Sequence, residues 1–162
     1  MTRPIARKPF ADMPRSLLAW LRGRSLSTPW PRLRSISPEE SEQRVVLVLT
    51  HAVVHAKQRR EFDRQNRRVL ASMGRHSGLL GYAARRQILG NQAWTMSVWA
   101  DDEDRAAFAR SRAHREAIAR SMPALRSVAL KRLTVMRKDL PADWDQVLRE
   151  LAETQARRNH GE

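Results

Sequence analysis

AWTMSVWADDEDRAAFARSRAHREAI, residues 93–118, runs from an extended segment straight into a helix. Trp94, Met96 and Val98 alternate with Thr95, Ser97 and Trp99, the period-two pattern of a strand. Asp101, Asp102, Glu103 and Asp104 then supply the negative charge that a helix N-terminus favours. In the helix expected over 101–122, Ala107, Ser111, His114 and Ile118 recur at helical spacing beside Phe108, so the imidazole shares the apolar face. A histidine on such a face is either a hydrogen-bonded core residue or part of a pocket.

The same patterns extend in both directions. RVVLVLTHAVV, residues 44–54, is β-branched and apolar on both faces, as a central strand is. Residues 57–73 turn helical, with Phe62, Val69, Leu70 and Met73 in one stripe, and Gly74 to Gly78 stop the helix. Residues 79–89 and 92–100 form a hairpin about a Gly90-Asn91 turn. Pro123 ends the next helix, residues 127–136 form the fourth strand, and a final helix begins near Pro141 with Trp144, Val147, Leu148 and Leu151 on one face. The order is βαββαβ plus one helix, which is an α+β, ferredoxin-like arrangement.

Charge sorts the strands. The first and third are nearly free of it, as central strands are, whereas the second carries Arg85-Arg86 and the fourth Lys131-Arg132, as edges do. Two helices cover one face of such a sheet, yet the first strand is apolar on both. A homodimer packing sheet on sheet is the expected cover for the second face.

Charge also marks off the N-terminus. The 162-residue chain has a net charge of +14, and its first 36 residues hold eight basic residues against Asp12 alone. Six of the eight prolines lie within residues 1–38, so residues 1–43 read as a basic, largely irregular leader in which only Pro14 to Arg22 can form a short amphipathic helix. The division is then leader 1–43, domain 44–138, and C-terminal helix and tail 139–162. No apolar run reaches the roughly 20 residues of a membrane span. The leader suits a flexible arm, a contact with an anionic membrane surface or another polyanion, or an organelle-targeting segment. With no cysteine there is no disulfide framework, thiolate nucleophile or cysteine-bound metal, and the expected location is the cytoplasm.

The segment GLLGYAARRQILGNQAWTMSVWADDEDRAAFARSRAHREAI resembles the antibiotic-biosynthesis-monooxygenase group of dimeric α+β barrels. The resemblance rests on Gly78-Leu79-Leu80-Gly81 at the hairpin start, Trp99 ending a strand, the acidic helix start, and Phe108 nine residues after that tryptophan. It runs roughly from Arg44 to Arg137 and leaves out the leader and the last helix. It implies a homodimer of that barrel fold, and an activity among cofactor-free oxygenases of aromatic substrates and heme-degrading oxygenases. The heme-degrading branch has Trp where Phe108 stands and His where Ile118 stands, so this chain is expected to work without heme or any other cofactor.

A cofactor-free oxygenase needs a base to make an electron-rich anion, a donor or cation to hold it, and apolar walls to exclude water. His114 is the candidate base, Arg86 or Arg132 the candidate cation, and Tyr82, Trp94, Trp99 and Phe108 the candidate walls, with His51 a further pocket candidate. Trp94 and Trp99 point to opposite sheet faces, so at least one belongs to the core or to the dimer interface. His51 and His55 share a face but lack a third ligand nearby, so no metal is expected. His55, His76 and His160 are expected in solvent.

Two other functions fit the same pattern. One is a binding or interaction domain without catalysis on the same scaffold. The other is an RNA-recognition module, which has the same element order. The first strand here has no aromatic residue and residues 92–100 lack the K/R-G-F/Y run, so nucleic acid is disfavoured.

Overall fold

A computed structural model of the chain describes Leu21 and residues 24–29 and 38–160, with the side chains of 154–160 excepted. Apart from Leu21, the helix expected at Pro14–Arg22 lies outside the described residues. The strands are β1 (Ser25–Ser27), β2 (Arg44–Val54), β3 (Leu79–Gln87), β4 (Gln92–Trp99) and β5 (Leu125–Met136). The main helices are α1 (Arg59–Met73), α2 (Asp102–Arg110), α3 (Arg112–Ser121) and α4 (Trp144–His160). All strand pairs are antiparallel, in the order β1-β3-β4-β2-β5. This is an α+β, ferredoxin-like sheet with one strand added from the N-terminal extension. Among the described residues no helix is long and apolar enough to cross a membrane.

Two features depart from the sequence reading. Ser25–Ser27 pairs with β3, and Thr28 secures the junction: its N–H donates to the Ala84 carbonyl at 2.8 Å while the Ala84 N–H donates to Thr28 Oγ1 at 2.9 Å. The Arg85-Arg86 strand is therefore not an edge. The helix expected over 101–122 is broken at Ser111, which is extended (φ −59°, ψ 146°). Its Oγ accepts the His114 N–H at 3.2 Å, so it caps a second helix instead of continuing the first.

The two sheet faces are covered differently. Val45, Leu47, Leu49, Ala83, Met96 and Val98 pack against Trp144, Val147 and Leu151 of α4. Asp143 starts that helix by accepting the Gln146 N–H at 2.9 Å. The face for which a partner subunit was expected is thus covered from within the chain, because the amphipathic stripe of α4 fits it. On the opposite face α1, α2 and α3 lie over Val46, Val48 and Trp99. Arg59 joins α1 to the sheet by donating to the carbonyls of Gln87 and Ile88 at 2.6 and 2.7 Å. Gly78 carries no side chain because a Cβ there would collide with Asp104 at the start of α2.

Candidate functional site

On the face covered by α1, α2 and α3, β2 presents Val48, Thr50 and Ala52, and β4 presents Ala93, Thr95 and Ser97. These side chains are too small to fill the space beneath the helices. They leave a cavity of about 230 Å³, roofed by Phe62, Val69 and Met73 of α1 and by Phe108 and His114 of α2 and α3, and open to solvent beside the exposed Ile118, Val128 and Leu130. Its lining is mostly apolar, and the polar exceptions include Asn66, Ser97, Arg105 and His114.

His114 owes its position to the break at Ser111, which starts α3 just before it. Its ring lies 4.6 Å from that of Phe108, which in turn stacks on Trp99 at 5.1 Å. Trp99 Nε1 donates to Ser97 Oγ at 3.0 Å, so the indole is satisfied within the sheet and its face is left to the cavity. His114 Nδ1 is buried and has no hydrogen-bond partner among the described residues. Desolvation by burial pushes the imidazole below its ordinary value of 6.5, so the ring is neutral at neutral pH.

The expected site residues separate into two groups. His114, Trp99 and Phe108 line the cavity, and Tyr82 packs beside it against the cluster of Val46, Met73, Trp99 and Phe108. His51 and Trp94 do not reach it, because both project from the opposite face, where their rings stack at 5.2 Å and His51 Nε2 meets Gln92 Oε1 at 2.9 Å. Arg85 lies over the same indole at 5.9 Å, so a cation, an indole and an imidazole form one row across β3, β4 and β2. Arg86 is held by Asp63 of α1, away from the cavity. Arg132 reaches Asp102 at 3.2 Å outside the lining.

The cation the cavity does contain is Arg105, whose Nε donates to Asp102 at 2.7 Å. Its i+3 spacing from Asp102 is that of a surface ion pair and gives no sign of the cavity. The arginine contacts hold the Asp102 carboxyl below the usual carboxylate range. His76, expected in solvent, meets the Phe108 ring edge-on at 5.2 Å. His55 is exposed at the strand end. Among the described residues no three His, Cys, Asp or Glu side chains come together as a metal site would require.

No protein-family profile matches the chain, and no curated protein does either. Solved structures do match. One is a candidate monooxygenase from Lactobacillus acidophilus, with TM-score 0.52 and 16% identity over 64% of this chain, and the match spans only about half (52%) of that protein. A candidate antibiotic biosynthesis monooxygenase from Bacteroides thetaiotaomicron gives TM-score 0.53 and 13% identity over 61% of this chain and 96% of its own. Its counterpart from Caulobacter crescentus gives 0.52 and 15% over 59% and 92%. At these identities the likeness establishes the fold, which is the monooxygenase-like α+β fold that the sequence resembles.

Proposed function

We propose that the cavity binds a small electron-rich aromatic molecule and oxidises it with O2, with His114 as general base. The observation that carries this reading is that His114 lines an apolar cavity and that burial favours its neutral form. His114 takes the acidic proton of a phenol, enol or activated CH2, and the apolar lining raises the energy of the resulting anion. The anion passes one electron to O2, and the radical pair combines to a peroxide. Loss of water then leaves a carbonyl, so that a CH2 group plus O2 gives C=O plus H2O. Arg105 is the group positioned to hold the developing negative charge.

The test is oxygen uptake by the full chain with an anthrone or hydroquinone and no added metal, flavin or heme. His114→Ala should lower turnover by on the order of 10²-fold. The wild-type rate should rise with pH through a group below 6.5, because desolvation favours the neutral, basic form. Binding without oxygen uptake would leave a small-molecule-binding domain on the same scaffold.

A further inference from the structure

One side of the cavity is a surface as well as a wall. Ile118 of α3 and Val128 and Leu130 of β5 line the cavity, yet Ile118 is 43% exposed and the other two 53%. Met122, 58% exposed, keeps helical dihedrals (φ −49°, ψ −47°) one turn after Ile118 and so stands on the same side of α3. β5 is an edge strand, so among the described residues no further strand covers this side. The side chains that alternate with Val128 and Leu130 turn the other way: Lys131 donates to Glu150 of α4 at 2.7 Å, and Leu133 packs with the α4 cluster. Four large apolar side chains exposed around one cavity mouth mark a binding surface.

The rim of this surface has one sign. Residues 110–132 hold seven basic residues against Glu116 alone. Three of the seven are matched by an acid: Lys131 pairs with Glu150, Arg132 with Asp102 and Arg112 with Glu116. That leaves Arg110, Arg115, Arg120 and Arg126, all exposed. Arg115 is three residues before Ile118 and shares its side of the helix, and Arg126 is two residues before Val128. The other acids at the start of α2, Asp101, Glu103 and Asp104, follow Trp99, which is level with Thr134 through Val46. Thr134 lies six strand residues, about 20 Å, along β5 from Val128.

An apolar centre with a cationic rim selects its partner. A second copy set patch on patch would bring each rim against its own charge. A nucleic acid would find no aromatic ring among these four side chains to stack on, and would leave them in water. An anionic phospholipid surface satisfies both parts. We infer that this side of the domain lies on such a surface, with Ile118, Met122, Val128 and Leu130 in the boundary between headgroups and acyl chains and Arg115 and Arg126 against lipid phosphates. An apolar substrate then enters the cavity from the bilayer without crossing water, a consequence that rests on the cavity being the substrate site.

Sedimentation of the full chain with phosphatidylglycerol and phosphatidylcholine vesicles tests this without turnover. Binding to phosphatidylglycerol should fall about tenfold in Leu130→Asp and in Ile118→Asp. Arg115→Gln and Arg126→Gln should each weaken it about fivefold and leave the weaker binding to phosphatidylcholine unchanged. All four positions are exposed, so the fold should be retained, as circular dichroism will report. The leader carries positive charge of its own, so the contact must also be located. The chain has no cysteine, which lets a single fluorophore be placed on Leu130→Cys or, on the α4 side, on Glu153→Cys. Lipids brominated in the acyl chains should quench the first and spare the second. Asp variants that bind like wild type, or equal quenching at the two positions, would overturn the inference and leave the leader as the lipid contact. So would a chain that ignores vesicles and scatters light at twice its mass unless it carries Leu130→Asp, since the patch would then be an interface between copies. Vesicle binding without any oxygen uptake removes the proposed reaction and leaves the surface, whereas oxidation by a chain that ignores vesicles does the reverse.

Discussion

The two faces of one sheet have opposite characters, although the same strands build both. Facing α4, β2 and β4 contribute Val45, Leu47, Leu49, Met96 and Val98, all buried and interlocked with Trp144, Val147 and Leu151. Facing α1 and α3, the intervening positions are Thr50, Ala52, Ala93, Thr95 and Ser97, and the space they do not fill is the cavity. Large apolar residues seal one side, and small or hydroxyl-bearing residues keep the other open. Stability should therefore reside mainly in the sealed face and chemistry in the open one.

Substitutions on the sealed face should have the largest effect on folding. Leu47→Ala removes a fully buried side chain from the α4 contact and should cost about 2–5 kcal/mol, read from denaturant midpoints at unchanged m-value. Any activity should fall only with the folded fraction. The opposite test is Ala52→Leu, which places a larger side chain into the cavity. It should cost about 1–3 kcal/mol, less than Leu47→Ala, while abolishing oxygen uptake with an anthrone by the folded protein. If both variants lost stability equally and kept oxygen uptake in the folded fraction, the contrast between the faces would fail.

Much of this contrast was legible in the sequence. Alternation along RVVLVLTHAVV and AWTMSVW separates the two faces, and the odd-numbered parity of His51 already places it with Val45, Leu47 and Leu49. Its side-chain chemistry suits a pocket, but parity sets the face from which it projects. The break at Ser111 was masked because the apolar spacing continues across it. A serine three residues before His114 is nonetheless a capping signal. Ser25–Ser27 carries no hydrophobic pattern, and its pairing depends on main-chain bonds and Thr28, which composition does not reveal. The cover of the second face by α4 is a tertiary choice that an amphipathic helix alone leaves open.

The edge strand gives a smaller effect. A chain beginning at residue 39 loses β1 and exposes the β3 edge, and should melt several degrees lower than one beginning at residue 24. Equal melting temperatures would show β1 to be a passive cover.

The smallest expected effect is on pH dependence. With its folded value below the unfolded 6.5, His114 costs nothing above that pH. As pH falls below 6.5 the unfolded chain takes up the proton first, and stability is lost until the folded value is passed. His114→Phe should therefore lose less stability than wild type between neutral pH and pH 5. A parallel loss in the two proteins would show His114 to titrate normally.

The most direct test of the open face as the functional one is an NMR titration of the His114 ring protons, with and without an anthrone under argon. The expected midpoint lies below 6.5, and the ring signals should shift when the anthrone is added. A midpoint at or above 6.5 that the anthrone leaves unmoved would mean a solvated or structurally paired imidazole, and His114 would have no part in the chemistry of the cavity.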